Sequence, residues 1–186
     1  MLNNLKNILD NLALFGGSFN NNNKYYVDNA KPFKDVNGNT RNNLKCSTGT
    51  PMMSKSPSLA TSYSPGSSSY AYLLLGKGTT PVTEDDYVMD NLISTGISAN
   101  GNSMVKSVEC NVENGTLKKN MVLTYNVKNT GTTDLTITEA GIMDCIDYSS
   151  SNCMVLLHRE VFDPVTIPVG ATRTFTFTFE FVNSMA

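Results

Sequence analysis

An eight-residue run near the end of the chain, TFTFTFEF, alternates threonine or glutamate with phenylalanine. Successive side chains of a β-strand point to opposite faces, so this period of two predicts a strand with one apolar and one polar face. Burial of four phenylalanine side chains would contribute on the order of 15 kcal/mol before opposing terms are counted. The expected core residues of this strand are Phe175, Phe177, Phe179 and Phe181.

Short apolar runs separated by turn residues continue this β-type pattern from Tyr70 onward. In the run that begins at Met121, alternate residues are apolar, and Asn129-Thr130-Gly131 follows as a turn signal. The pattern predicts a mainly β fold, with residues 70–186 forming an antiparallel, immunoglobulin-like β-sandwich. The candidate strands are 70–75, 92–94, 104–112, 121–128, 135–139, 142–146, 154–159, 165–167 and 172–182.

The composition removes most of the raw material for catalysis. Only 16% of the 186 residues are charged, and the chain has one histidine, His158, and no tryptophan. No G-x-S-x-G motif is present, and a lone histidine without an oriented partner does not favour a catalytic triad. The net charge of −2 lacks the basic surface that binding to nucleic-acid phosphates usually requires. We therefore expect a protein that is not an enzyme and has no nucleic-acid partner.

Two short motifs offer weaker alternatives as ligand sites. Gly76-Lys77-Gly78 follows an apolar strand, but Pro81 stands where a dinucleotide-binding loop has its third glycine, so a tight turn is the better interpretation. The acidic run Thr83-Glu84-Asp85-Asp86 favours a helix N-cap, and together with Asp90 it lacks the spacing and glycine of a calcium loop. We expect no cofactor and no metal.

The four cysteines, Cys46, Cys110, Cys145 and Cys153, form no C-x-x-C pair, which favours reduced, buried thiols. Cys145, Cys153 and His158 match the spacing of no common zinc module. No run approaches 18 consecutive apolar residues, and polar residues interrupt the first fifteen positions. We expect neither a transmembrane helix nor a secretory signal, and assembly in a reducing cytosol.

Apolar residues recur at three- and four-residue steps in the first fifteen positions, and Gly16-Gly17 follow at once. This spacing predicts an amphipathic helix within residues 1–17. A short helix with an apolar stripe needs cover from the body of the protein or from a neighbour, so we interpret it as a docking element. The residues expected to dock are Leu5, Ile8, Leu9, Leu12 and Phe15.

Residues 18–69 are rich in asparagine, serine and proline, which predicts a long irregular arm. Residues 1–69 carry seven Lys or Arg against three Asp or Glu, whereas residues 70–186 carry seven against thirteen. Two interpretations remain open. The basic arm lies along an acidic surface of its own domain or of an identical copy, or it is a solvated linker whose lysines make no specific contact.

Three runs within residues 72–182 carry a family resemblance: LLLGKGTTPVTEDDYVMDNLIS, NVKNTGTTDLTITEAGIMD and VLLHREVFDPVTIPVGATRTFTFTFEF. They resemble a recurrent pattern in small virion structural proteins of tailed bacteriophages, in which a variable N-terminal part precedes a compact β-sandwich. The resemblance implies a capsid decoration protein, a head fibre, or a component of the neck or tail. It carries no functional residues over to this chain.

Together these features predict a non-enzymatic structural protein of a phage virion, assembled in the host cytoplasm. Its expected partners are other virion proteins and further copies of itself, with no membrane involved. The helix and arm would dock on neighbouring subunits while the sandwich projects. An alternative from another class is a glycan- or receptor-binding module on the particle surface. The tyrosines that could stack on a ligand are Tyr63, Tyr70, Tyr72 and Tyr148.

Overall fold

The computed structural model describes residues 24–27, 32–41, 44–47, 56–64, 70–100, 105–113, 116–147 and 153–184. Within these residues all regular secondary structure is β-strand, and the expected mainly β class is confirmed. The predicted N-terminal helix lies outside the described residues. The same holds for its expected docking residues, Leu5, Ile8, Leu9, Leu12 and Phe15.

The described residues form twelve strands. They are β1 (Lys24–Val27), β2 (Phe33–Lys34), β3 (Thr40–Arg41), β4 (Leu44–Ser47), β5 (Ser56–Leu59), β6 (Tyr70–Gly76), β7 (Ile97–Ala99), β8 (Val105–Glu113), β9 (Thr116–Asn129), β10 (Leu135–Asp147), β11 (Cys153–Ile167) and β12 (Thr172–Ser184).

Two larger sheets make up most of the structure. The first sheet has the strand order β11-β10-β6-β5, in which only the β5–β6 pair is parallel. In the second sheet β9 is central. It pairs with β12 along one edge, and along its other edge it pairs first with β8 and then, nearer its C-terminal end, with β7. All pairs of the second sheet are antiparallel. Two small antiparallel pairs, β1 with β4 and β2 with β3, lie in the leading part of the chain.

Both larger sheets contribute side chains to one hydrophobic cluster, the inner core. Along β9, alternate residues from Met121 to Val127 are fully buried, whereas the residues between them are half-buried. The Tyr125 hydroxyl donates to the backbone oxygen of Ala71 at 3.2 Å and so joins the two sheets. From β12, Phe177 is buried in the inner core, and Phe175 and Phe179 are half-buried and pack against it. The side chain of Phe181 lies outside the described residues.

A second cluster, the outer core, covers the other face of the first sheet. From β6 it takes Tyr72 and Leu74, which alternate with the inner-core residues of the same strand. Its other buried members are Val36, Ala60, Met89, Met143, Cys145, Met154 and Leu156. A strand that is buried on both faces has a continuous apolar run, which is how YAYLLLG reads in the sequence.

The described parts of residues 18–69 differ from the expected irregular arm. They contain β1 to β5, and β5 pairs with β6 in the first sheet. The Val36 amide donates to the Met154 oxygen at 2.9 Å, and the Ala60 amide donates to the Leu73 oxygen at 2.9 Å. The folded body therefore begins before Tyr70, because the outer face of the first sheet is apolar and these segments cover it.

Candidate functional site

A buried ion pair lies on the outer face of the first sheet. Glu139 on β10 and Arg159 on β11 have 0% and 2% of their side-chain surface exposed, and Arg159 Nε lies 2.6 Å from Glu139 Oε1. The two strands are neighbours, and their register places Arg159 opposite Gly141. Charges this deeply buried persist only when partners replace the water they have lost.

The carboxylate of Glu139 also accepts hydrogen bonds from three backbone amides. Oε1 accepts from Asp90 at 2.6 Å, and Oε2 accepts from Gly78 and Asn91, each at 3.1 Å. These amides come from the two ends of a surface loop, residues 77–92, which we call the clamped loop. One side chain thus closes the loop at its base by contacts to both of its ends.

Arg159 holds the middle of the clamped loop. Its Nη1 donates to Asp86 Oδ2 at 2.6 Å, and its Nη2 donates to the Thr80 oxygen at 3.1 Å. Burial alone would lower the pKa of Arg159, but the carboxylates of Glu139 and Asp86 outweigh burial and raise it. The guanidinium therefore stays charged and binds three separate points of the structure.

Asp86 is fixed from its other side by Thr83. The Thr83 hydroxyl donates to Oδ1 at 2.7 Å, and the Thr83 amide donates to Oδ2 at 3.1 Å. Burial disfavours the charged carboxylate, but these bonds and Arg159 outweigh it and hold the pKa of Asp86 below its usual value. The sequence pattern predicted a helix N-cap here, and the structure has one contact of a capping box, from the Thr83 amide to the Asp86 carboxylate, in a turn without a helix.

Two glycines make room for the carboxylate of Glu139. A Cβ atom on Gly78 would lie 2.5 Å from Glu139 Oε2 and 2.6 Å from Asp90 Cβ, and one on Gly76 would collide with the same carboxylate oxygen. Gly76-Lys77-Gly78 was predicted to be a tight turn between strands. Its glycines instead allow a buried carboxylate to approach the backbone closely.

A second buried carboxylate closes the β2–β3 hairpin. Asp35 is fully buried and accepts bonds from the amides of Asn37 and Asn39, each at 2.9 Å, and from Arg41 Nη2 at 2.7 Å. Burial raises the pKa of Asp35, but these bonds outweigh it and hold the pKa below its usual value. The hairpin also lies against the clamped loop, since Lys34 Nζ is 5.2 Å from the centre of the Tyr87 ring.

The candidate ligand residues of the sequence do not converge. Among the described residues, no group of three or more His, Cys, Asp or Glu could hold a metal ion. The side chain of Cys145 is buried in the outer core, and that of Cys153 lies outside the described residues. The His158 ring packs edge-on against Phe177 and Phe179, with centroid distances of 5.8 Å in both cases. Asp90 accepts from the Thr80 hydroxyl at 2.8 Å rather than facing Asp86.

The tyrosines proposed as stacking faces have unequal exposure. Tyr72 is buried in the outer core, and the Tyr63 hydroxyl accepts from the Met89 amide at 2.8 Å, while burial raises its pKa. Tyr70 is 39% exposed and lies edge-on to Tyr72. Tyr148 lies outside the described residues. Of the three that are described, Tyr70 is the most exposed residue.

Chemically, this arrangement holds backbone in place. Both side chains are buried, and Glu139 and Arg159 bind each other and the clamped loop. No sequence signal placed Arg159 here, because its partner Asp86 is 73 residues away along the chain. The sequence feature closest to such a signal was the pair of glycines, Gly76 and Gly78, which allow the Glu139 carboxylate to approach the backbone.

Comparison of the chain with protein-family models, with curated proteins and with solved structures found no match. In the part of the chain that the structure describes, no helix has the length and apolar character needed to cross a membrane.

Proposed function

We propose that this protein is a non-enzymatic structural component of a tailed-phage virion, such as a decoration, head-fibre, neck or tail protein. The observation that carries the proposal is the use of buried charge. Glu139, Arg159 and Asp35 all bind the chain's own backbone and loops, as expected of a body built for rigidity. The assignment to a phage virion rests on the resemblance of the three sequence runs to small structural proteins of tailed phages.

In this proposal the body is an immunoglobulin-like β-sandwich. Its support is the strand connectivity: β9 belongs to the second sheet, β10 and β11 form a hairpin in the first, and β12 returns to pair with β9. The shared inner core and the Tyr125 bond to Ala71 support packing of the two sheets on one another. Such a body would project from the particle.

Attachment is assigned to the N-terminal helix and the undescribed parts of the arm, which dock on other virion proteins and on further copies of this chain. The support is the apolar stripe of the first fifteen residues, which requires cover. The excess of basic residues in the first 69 positions would favour acidic neighbours.

The test is incorporation into particles of the phage that encodes the chain. Density-gradient-purified virions are analysed by quantitative mass spectrometry for wild type and for two variants, Leu9→Asp on the apolar stripe and Asn7→Asp off it. We expect many copies per particle for wild type and Asn7→Asp, and strong loss for Leu9→Asp. Absence of the wild-type chain from purified virions would reject the virion role. Equal incorporation of both variants would reject docking by the helix while leaving the virion role standing.

A further inference from the structure

Each of the two larger sheets ends in a long edge strand, and the two edges are protected to different degrees. β11 is 15 residues long, contains Pro164, and pairs with β10 through three register shifts. Proline and bulges are the usual devices that stop an edge from pairing with another chain. The β11 edge therefore carries the ordinary safeguards of a sheet edge, and at Met154 it also accepts the hydrogen bond from the Val36 amide.

The β12 edge carries none of these devices. Its 13 residues pair with β9 in unbroken register from Thr172 to Ser184, and the strand contains neither proline nor lysine. Within the described residues no strand pairs with its outer edge. In an antiparallel pair half of a strand's backbone N–H and C=O groups point away from the partner, so β12 presents a row of them to another strand.

The side chains of β12 suit an added strand on both faces. Thr174, Thr176 and Thr178 are exposed on the outer face of the sheet, and Phe175 and Phe179 are only half-buried on the other. A further strand with the same alternation would cover the phenylalanines and continue the polar face. The β12 strand of a second copy would have this alternation.

We propose that β12 is a homodimer interface, in which two copies pair their β12 strands antiparallel across a twofold axis at Thr176. This register sets Phe175 beside Phe177 of the second copy and keeps every side chain on its own face. The pairing doubles the second sheet into one continuous sheet.

Charge complementarity favours the second copy as occupant. Lys128 on β9 is opposite Thr172, and both are exposed on the outer face. In the proposed register Glu180 of the second copy lies on the other side of Thr172, so Thr172 stands between Lys128 of its own copy and Glu180 of the other. The twofold axis gives the dimer two such arrangements. Parallel pairing would instead set Arg173 beside Arg173 and Glu180 beside Glu180. The inference goes beyond the proposed function and holds for a virion component or any other role.

The first test measures the mass of the full chain by sedimentation equilibrium over a wide range of concentration. We expect wild type to reach twice 20.2 kDa. Thr176→Lys, which opposes two lysines at the axis, should raise the dimer dissociation constant at least about tenfold. Thr166→Lys makes the same change at an exposed threonine on the β11 edge and should leave the constant unchanged. A wild type that stays monomeric, or a Thr176→Lys variant that dimerises as tightly as wild type, would overturn the interface.

The second test reverses the charges. Lys128→Glu and Glu180→Lys should each weaken the dimer, and the double variant should restore it, because opposite charges again flank Thr172. Circular dichroism confirms that each variant is folded. Additive weakening in the double variant would contradict the proposed register.

Discussion

At the scale of single residues, the contacts of Arg159 set the strongest expectation. Its buried guanidinium binds Glu139, Asp86 and the Thr80 carbonyl. Removal of one partner from a buried ion pair leaves the other charge without compensation, which costs more than the intact pair contributed. Loss of Arg159 should therefore destabilise the fold chiefly through Glu139, whose buried carboxylate would lack its compensating cation.

We expect Arg159→Met to lower the free energy of unfolding by about 3 kcal/mol, measured by urea denaturation. Arg173→Met is the matched control, since Arg173 is exposed, and should change stability by no more than about 0.5 kcal/mol. The double variant Arg159→Met with Glu139→Gln should recover part of the loss, because the buried position 139 then carries no unpaired charge. Equal effects of the two arginine variants would show that the network contributes nothing.

The lowered pKa of Asp86 predicts a dependence of stability on pH. Between the folded-state pKa and the ordinary value of 3.8, the unfolded chain binds more protons than the folded one. The contribution of Asp86 is therefore complete above pH 3.8 and is lost as the pH falls through the folded-state pKa. Asp86→Asn should be less stable than wild type at pH 7, and the difference should shrink in acid.

The measurement is urea unfolding of wild type and Asp86→Asn at a series of pH values from neutral to below 3.8. Asp163→Asn changes the charge equally at an exposed position and serves as the control. A gap between wild type and Asp86→Asn that stays constant across the series would mean that ionisation of Asp86 is not what fixes the loop.

Residue-scale prediction from the sequence succeeded where local alternation decides and failed where distant segments meet. The burial of Met121 to Val127 at every second position follows from the period of the run. The period of two within VLLHRE leaves either His158 or Arg159 on a polar face, and it carries no information about a loop that folds over Arg159. Its burial depends on Asp86 and Thr80, which no local pattern links to it.

At the scale of elements, the β2–β3 hairpin depends on Asp35. The carboxylate takes the place of strand pairing across the short connection, since it accepts from Asn37, Asn39 and Arg41. The hairpin also joins the sheet through the Val36 amide and the Met154 oxygen. A hairpin of two-residue strands is marginal alone, so these contacts determine whether it forms.

We expect Asp35→Asn to open the hairpin and to speed tryptic cleavage after Lys34 and Arg41 several-fold, as mapped by mass spectrometry. An amide cannot accept the same set of bonds while it also presents two donors. Asp163→Asn should leave these cleavage rates unchanged. Cleavage of the Asp35→Asn chain at the wild-type rate would show that packing on the sheet holds the hairpin without its carboxylate.

Strand boundaries show the same limit of local reasoning. The runs expected at 135–139 and 142–146 are one strand, β10, and those at 154–159 and 165–167 are one strand, β11. In β10 the interruption pairs regularly, Ala140 with Glu160 and Gly141 with Arg159. In β11 a register shift absorbs it: Ile137 pairs with Val165 and Glu139 with Val161, so residues 162–164 lie opposite Thr138 alone. Composition marks such a site as a break, whereas the neighbouring strand continues the pairing across it.

At the scale of the whole molecule, the boundary expected at Tyr70 does not separate arm from body. The Ser/Pro-rich composition predicted irregular chain, yet Ser56–Leu59 pairs in parallel with β6 as an edge strand, a position that tolerates Pro57. The apolar run of β6 contained the missing information, because a strand buried on both faces needs cover on both sides. Long-range contacts decide which segment of the chain covers β6, and composition does not specify them.

The segments before Tyr70 that pack on the first sheet, the clamped loop and the two sheets should unfold together as one cooperative unit. Native-state hydrogen exchange of the isolated full chain tests it at three amides that join separate segments: Val36 to Met154, Ala60 to Leu73, and Ile93 to Leu75. We expect all three to exchange only through global unfolding, with the same free energy as the buried amides of β9. Exchange of these three amides at least about a hundredfold faster than that of β9 would contradict it.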